Sequence, residues 1–168
     1  MAWLTVGDVA ARGLWVLLAY RLPREPSNPR VAVWRKLRRL GAMQLVDGLV
    51  ALPADARTRE QFDWLAEEIV EARGEAWLWV GRPGSAGQER MLASRMAAAV
   101  IEDYRAVIDE AHAAASLDPP VRSRTLAKLR RELRRIAARD FFPPAVRDQA
   151  RAAVEALGQV VSESGAAR

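Results

Sequence analysis

The fold is decided by the stretch Ala42-Met43-Gln44-Leu45-Val46-Asp47-Gly48-Leu49-Val50-Ala51-Leu52-Pro53. Two short apolar runs flank an Asp-Gly pair, which is a strong signal for a β-hairpin. Both central residues of a type I′ turn need positive φ, and Asp-Gly is a favoured pair there, so we expect that turn at Asp47-Gly48. The sequence therefore predicts two adjacent antiparallel strands at this position.

One helix and one further strand are predicted on each side of the hairpin. Before it, the apolar run at residues 14–22 predicts a strand, and residues 28–40 predict a helix that ends at Gly41. We expect this helix to bury an apolar face formed by Val33, Trp34, Leu37 and Leu40. After it, residues 58–73 predict an amphipathic helix, and residues 76–80 predict a fourth strand. This β-α-β-β-α-β order is that of a ferredoxin-like domain, so we assign residues 1–82 to an α+β domain of that type.

Large apolar side chains lie on both faces of the first and the fourth predicted strand. Trp15, Leu17, Trp77 and Trp79 fall on the face that the two helices would not cover. Burying apolar surface contributes about 25 cal/mol per Å², so exposing all four would be unfavourable. We therefore expect this second face to be covered by the rest of the chain or by a second copy, and we expect a homodimer.

Residues 83–168 are predicted to form an α-helical extension. A long helix from about residue 88 to 116 and a second from about 121 to 139 should pair as a helical hairpin. Phe141-Phe142-Pro143-Pro144 predicts a corner, and a final helix should run from Pro144 to about Leu157. We expect the tail after Gly158 to fray.

The composition is that of a basic globular protein. Of the 168 residues, 51% are hydrophobic and 28% are charged, which excludes an intrinsically disordered chain. The absence of cysteine excludes a disulfide scaffold and a Cys-ligated zinc site. No apolar run approaches the ~20 residues of a membrane-spanning helix, so we expect a cytoplasmic protein with no membrane partner. The net charge of +5 permits an acidic partner such as nucleic acid.

Two basic segments are candidate nucleic-acid-binding surfaces. Residues 30–40 carry five cations and no acid, and residues 117–139 carry eight cations against two acids. Residues 55–75 carry seven acids against three arginines, so the second basic segment could instead pair with that helix. Both segments could also be solvated faces. The candidate contact residues are Arg30, Arg35, Lys36, Arg38, Arg39, Arg124, Lys128, Arg131, Arg134 and Arg135.

The sequence contains no clear active-site motif. His112 is the single histidine, and without cysteine a soft-metal site has no ligand set. The glycine-rich residues 81–87 lack the Gly-Lys-Ser/Thr of a P-loop. We therefore expect no cofactor and no catalytic residue. The alternative is a small metal- or oxyanion-handling enzyme, and its best carboxylate candidates are Glu102, Asp103, Asp109 and Glu110.

Most of the chain resembles a known family. Residues 20–27, Tyr-Arg-Leu-Pro-Arg-Glu-Pro-Ser, and residues 30–42, Arg-Val-Ala-Val-Trp-Arg-Lys-Leu-Arg-Arg-Leu-Gly-Ala, resemble the N-terminal domain of the chromate-resistance regulator ChrB. Residues 47–53, 62–69 and 136–142 are similar to the same family. A distant resemblance extends to PaaX-type repressors and to small CRISPR-associated nucleases. Those nucleases hold a metal through an Asp near the end of the first strand, where this chain has Arg21.

The resemblance implies a chromate-responsive transcriptional regulator or an accessory protein of chromate resistance. DNA is then the expected partner, and chromate or another oxyanion is the candidate effector. Full-length members carry a second, C-terminal domain, and this chain ends before it, so we expect roles that depend on that domain to be missing. A dimerisation module with no nucleic-acid role is a further alternative.

Overall fold

A computed structural model describes residues 13–166 of the chain. Its elements are β1 (Trp15–Arg21), α1 (Asn28–Leu40), β2 (Met43–Val46), β3 (Leu49–Pro53), α2 (Ala56–Glu71), β4 (Glu75–Gly81), α3 (Ala86–Ala114), α4 (Pro119–Ala137) and α5 (Val146–Ala166). The predicted α+β class is therefore confirmed. The chain divides into two compact units, a first unit over Met1–Leu92 and a second unit over Ala93–Arg168. The predicted division after residue 82 stays a prediction.

The four strands of the first unit form one antiparallel sheet in the order β2-β3-β1-β4. The central strand β1 pairs with β3 from Trp15 to Ala19, and with β4 over its whole length. β2 and β4 are therefore the edges of the sheet, and β1 positions its neighbours on both sides.

The predicted hairpin is present, but its turn is of a different type. Val46 pairs with Leu49, which leaves Asp47-Gly48 as the connection. Among residues 13–166, Gly48 has a φ of 73° whereas Asp47 is not among the residues with positive φ, so the expected type I′ turn is wrong. The register of β2 shifts between Gln44 and Val46, just before the turn, which is typical of a β-bulge.

The helices of the first unit bury one stripe each. α2 packs against β1 and β4, and α1 packs against α2. α2 begins at Ala56 because Asp55 and Thr58 form a capping box, in which the Asp55 carboxylate accepts the Thr58 N–H at 2.7 Å. The buried residues of this unit include Val16, Leu18, Val33, Leu37, Val50, Leu52, Phe62, Leu65 and Ile69.

The second face of the sheet is only partly covered. Trp15 and Ala51 are buried, whereas Trp77 and Trp79 on the edge strand β4 are each 65% exposed. Within residues 13–166 of the single chain, the expected cover is therefore absent at β4, and cover by a second copy stays a prediction. Alternation along the strand explains the pattern, because both tryptophans point to the same face of β4.

The second unit has its own hydrophobic core. The buried residues are Val100, Tyr104, Val107, Ala111, Ala114, Leu126, Leu129, Ile136, Ala150, Val154 and Leu157. α5 continues to Ala166, so the predicted end near Leu157 and the fraying after Gly158 are wrong. Val161 extends the apolar stripe of α5 and packs on this core, which offsets the ~1 kcal/mol that a glycine costs inside a helix. No helix within residues 13–166 combines the length and apolarity needed to cross a membrane.

Candidate nucleic-acid interface

The five candidate cations of α1 lie in three different surroundings. Val33 and Leu37 are its buried residues and define its inward side. Lys36 is directed to α2, where its Nζ lies 2.6 Å from both carboxylate oxygens of Glu68. Lys36 is therefore already neutralised within the first unit, and it is a weak candidate for a phosphate contact.

Arg38 is stacked on an aromatic ring of the same helix. Its guanidinium carbon lies 5.0 Å from the centre of the Trp34 ring, which is a cation–π arrangement. The apolar stripe that we expected for α1 included Trp34, but this side chain is 50% exposed. At about 100° per residue, Trp34 is rotated well away from Val33 and toward Arg38. The stripe that α1 buries is thus narrower than the sequence indicates.

Arg30, Arg35 and Arg39 complete the basic set of α1. All three are exposed, and none has a hydrogen bond or ion pair to a side chain within residues 13–166. At about 100° per residue, Arg35 and Arg39 lie opposite the buried stripe, whereas Arg30 lies beside Trp34. α1 therefore offers two outward cations rather than the five that the sequence suggests.

The cations of α4 are arranged more regularly. Arg124, Lys128, Arg131 and Arg135 follow the spacing i, i+4, i+7 and i+11, so they share one face of about 60°. We name these four residues the α4 stripe. It lies opposite the inward side chains Leu126, Leu129, Leu133 and Ile136 and extends over about 17 Å of helix. Arg134 lies on its flank.

Part of the α4 stripe is paired with acids. Lys128 Nζ lies 2.7 Å from Glu110 Oε1 of α3, and Arg135 lies 3.4 Å from Glu132 Oε2. Arg124, Arg131 and Arg134 are exposed and have no ion pair to a residue in the described part of the chain. The two lysines of the protein are therefore both ion-paired, and unpaired positive charge on the candidate surfaces belongs to arginines.

Three of the four candidate carboxylates of α3 serve as ion-pair partners, and Asp109 has none within residues 13–166. Glu102 contacts Arg105 at 2.5 Å, Asp103 contacts Arg139 at 2.8 Å, and Glu110 contacts Lys128. No group of three potential metal ligands occurs among residues 13–166. This arrangement gives no geometric support to the carboxylate metal site considered from the sequence.

A buried polar contact joins α3 to the α4–α5 connection. The Tyr104 hydroxyl donates to Asp140 Oδ2 at 2.8 Å. Burial, followed by this hydrogen bond and the Asp140 charge, raises the pKa of Tyr104 to about 12, against smaller opposing effects of Arg147 and Arg151. The second oxygen of Asp140 and the Arg147 Nε are also buried. Sequence reasoning missed this contact because its partners are far apart in the chain.

A pocket of about 690 Å³ lies beside α1 in the first unit. Its walls include Tyr20, Arg30, Trp34, Gln44, Asp47 and Gly48. Gln44 Nε2 donates to Asp47 Oδ1 at 3.2 Å, and burial followed by the charge of Asp47 raises the pKa of Tyr20. Of the predicted site residues only Arg30 lines this pocket. The sequence did not predict the other lining residues, because the pocket forms where the end of β1, the start of α1 and the β2–β3 hairpin meet.

Gly48 controls the shape of the pocket floor. A Cβ at this position would lie 2.5 Å from the carbonyl oxygen of Tyr20. The Tyr20 N–H also donates to the Gly48 carbonyl at 2.7 Å, so the turn and the end of β1 are held together. The Asp47-Gly48 signal in the sequence therefore specifies a wall of the pocket as well as a turn.

Comparison with known proteins places the chain in a family. The family described as "Protein ChrB, N-terminal" matches residues 30–166. The protein named "Protein ChrB" from Cupriavidus metallidurans is 34% identical over 64 residues, a stretch that covers 38% of this chain but 20% of that protein. No solved structure matches the chain. Because the family match extends over well more than half of the sequence, the chain belongs to the ChrB N-terminal family.

Proposed function

We propose that this chain is a regulatory or accessory module of chromate resistance that contacts DNA through the α4 stripe. Membership of the ChrB N-terminal family supports the regulatory part. The observation that carries the DNA contact is the outward row of cations on α4, in which Arg124 and Arg131 are exposed and have no acidic partner within residues 13–166. Contact with DNA implies a cytoplasmic protein.

The α4 stripe is a better phosphate-binding surface than α1. A duplex carries one negative charge per ~1.7 Å of its axis, so a straight row of cations about 17 Å long can meet several phosphates. On α1, Lys36 is held by Glu68 and Arg38 lies over Trp34, which leaves Arg35 and Arg39 directed outward. We therefore assign the main contact to α4 and an auxiliary contact to α1.

Such contacts supply affinity and orientation rather than sequence recognition. Arginine contacts to phosphate carry no base information directly, because every nucleotide presents the same group. Any preference for an operator would have to come from base contacts or from the shape of the DNA. We propose that chromate or another oxyanion acts as the effector that changes this binding.

We also infer that the first unit is a ferredoxin-like platform. It has the β-α-β-β-α-β order of that fold, with β1 and β3 in the centre of the sheet. In this proposal the platform presents an interface, and the helical second unit supplies the cations.

We propose that two copies associate through the β4 edge. Trp77 and Trp79 are each 65% exposed there, and an exposed edge strand is a template for pairing with another chain. Antiparallel pairing of β4 with its two-fold-related copy would join the two sheets and bring the tryptophans of both copies together. A dimer would carry two α4 stripes.

Sedimentation of the full chain tests the dimer. Changing Trp77 and Trp79 to Ser should raise the dimer dissociation constant at least about tenfold, because each buried aromatic side chain contributes ~1.5–3 kcal/mol. Trp64→Ser is the matched control, since Trp64 is 62% exposed on α2. A dimer that survives the double change, or is lost equally in the control, contradicts the β4 interface.

Binding to a labelled duplex tests the proposed function. The duplex should carry the region upstream of the protein's own operon, and a scrambled duplex of equal length and composition serves as the reference. We expect binding to both, tighter binding to the first, and a change on adding chromate that sulfate does not reproduce. Absence of binding to either duplex at low salt would contradict the DNA contact. Equal effects of the two anions would indicate an effector site for oxyanions in general, and no effect of either anion would contradict an oxyanion effector.

A further inference from the structure

The pocket beside α1 combines features that the α4 stripe lacks. Its volume of about 690 Å³ falls within the ~300–1,000 Å³ range of small-molecule sites. Two aromatic side chains, Tyr20 and Trp34, form part of its walls, and the pocket has more apolar than polar lining. A planar ring is therefore the kind of group that fits it best, because flat rings stack on aromatic side chains.

Trp34 is suited to contact such a ring. It lines the pocket and is 50% exposed, although a tryptophan on an amphipathic helix is usually buried. Arg38 lies 5.0 Å from the ring centre and helps to hold its orientation. Arg30, one turn earlier on α1, also lines the pocket and adds a positive charge next to the ring.

The β2–β3 hairpin supplies an acceptor to the lining of the pocket. Asp47 Oδ1 accepts a hydrogen bond from Gln44 at 3.2 Å, and its Oδ2 has no hydrogen bond to another residue of the described range. A carboxylate at this position suits an N–H donor on the ring, such as the exocyclic amine of cytosine. It is unfavourable for a bare oxyanion, because Asp47 would repel it and Arg30 is the single cation among the lining residues.

We propose that this pocket binds a nucleotide whose base carries an exocyclic amine, with the base against Trp34, the amine toward Asp47 and the phosphate toward Arg30. The nucleotide can come from two sources, a free mononucleotide or a nucleotide of a single-stranded nucleic acid. The proposal is independent of the α4 stripe, since every residue that it uses belongs to the first unit.

Calorimetric titration of the full chain with CMP and UMP gives the sharpest test of the base. CMP carries an exocyclic amine where UMP carries a carbonyl oxygen. CMP should therefore bind several-fold more tightly, because its amine can donate to Asp47. Asp47→Asn should abolish or reverse this preference, because an amide can donate to the carbonyl of UMP. Asp63→Asn, on α2 and outside the pocket, is the matched control and should leave the preference intact.

Substitution of Trp34 tests the stacking contact. Trp34→Ala should weaken CMP binding at least about fivefold, the lower bound for losing one base–aromatic stack. Trp34→Phe should restore most of the affinity, and Trp64→Ala should have no effect. If CMP and UMP both bind with equal affinity, or if CMP binds and Trp34→Ala leaves its affinity unchanged, the proposal is overturned.

Parallel titrations with the single strands (dC)n and (dT)n, with n about 12, identify the source. If CMP binds in a Trp34-dependent way and (dC)n binds no more tightly than CMP, the ligand is a free nucleotide; tighter, Trp34-dependent binding of (dC)n points to a strand. If CMP does not bind but the cytosine strand binds in a Trp34- and Asp47-dependent way, the source is a nucleic-acid strand. If neither ligand depends on these residues, the pocket does not bind nucleotides.

Discussion

Removing two unpaired arginines from the α4 stripe should change the salt dependence of DNA binding by a calculable amount. Arg124 and Arg131 are exposed and have no acidic partner within residues 13–166, whereas Lys128 and Arg135 are partly neutralised by Glu110 and Glu132. The slope of log K against log salt falls by about 0.9 for each phosphate contact that is lost. The double change Arg124→Ala/Arg131→Ala should therefore reduce the slope by about 1.8.

Fluorescence anisotropy with a non-specific duplex, between about 50 and 200 mM salt, measures this slope. Over that fourfold range, a slope difference of about 1.8 corresponds to a roughly tenfold smaller loss of affinity in the double variant. Stability should change by less than about 1 kcal/mol, because exposed charges contribute little to folding. Sequence preference should not change, since these contacts go to phosphates.

A second double variant separates a local contact from the effect of net charge. Arg59→Ala/Arg90→Ala removes the same total charge from exposed positions outside the candidate sets. We expect its slope to stay close to that of the native chain. If both double variants flatten the slope equally, or if the α4 variant binds as the native chain does while remaining folded, the α4 stripe does not contact the phosphates.

Three further predictions concern stability. Tyr104→Phe should lower the free energy of unfolding in urea by about 1–3 kcal/mol, because it leaves Asp140 Oδ2 without its donor in a part-buried site; an unchanged value would contradict a stabilising contact. Since the pKa of Tyr104 is raised to about 12 from 10.0, its contribution should be intact below about pH 10 and lost as the pH rises toward 12, and Tyr104→Phe should remove this part of the alkaline loss. Gly48→Ala should cost about 1–3 kcal/mol, because Gly48 has a φ of 73° and the new Cβ would meet the Tyr20 carbonyl; a neutral effect in thermal unfolding would contradict this reading of the turn.

The order and type of the secondary-structure elements followed from local signals. Asp47-Gly48 predicts the hairpin, and α1 ends at Leu40, where Gly41 takes a φ of 74°. Apolar periodicity predicts the helices and strands, because each helix or strand must turn one face inward. The family, too, was recognisable from residues 20–42 and the later matching segments, since such a resemblance depends on residue identity alone.

Local signals failed where a neighbouring element competes. Gly158 was expected to end the last helix, but α5 continues to Ala166, because Val161 packs against the core of the second unit. Trp34 was expected to be buried with Val33 and Leu37, but α1 buries a narrower stripe than its periodicity implies. At both positions, whether the side chain is buried depends on the space that another part of the chain provides. The apolar periodicity of a single helix does not contain that information.

The candidate sites depend still more on the arrangement of distant elements. Ten cations look equivalent in the sequence, yet Lys36 meets Glu68 and Lys128 meets Glu110, while Arg124 and Arg131 meet no acid of the described range. Likewise, the pocket beside α1 exists because the end of β1, the start of α1 and the β2–β3 hairpin come together. Residue type and periodicity specify which side chains are exposed. The packing of elements that are far apart in sequence specifies which of the exposed cations are paired with an acid and which remain available to bind a partner.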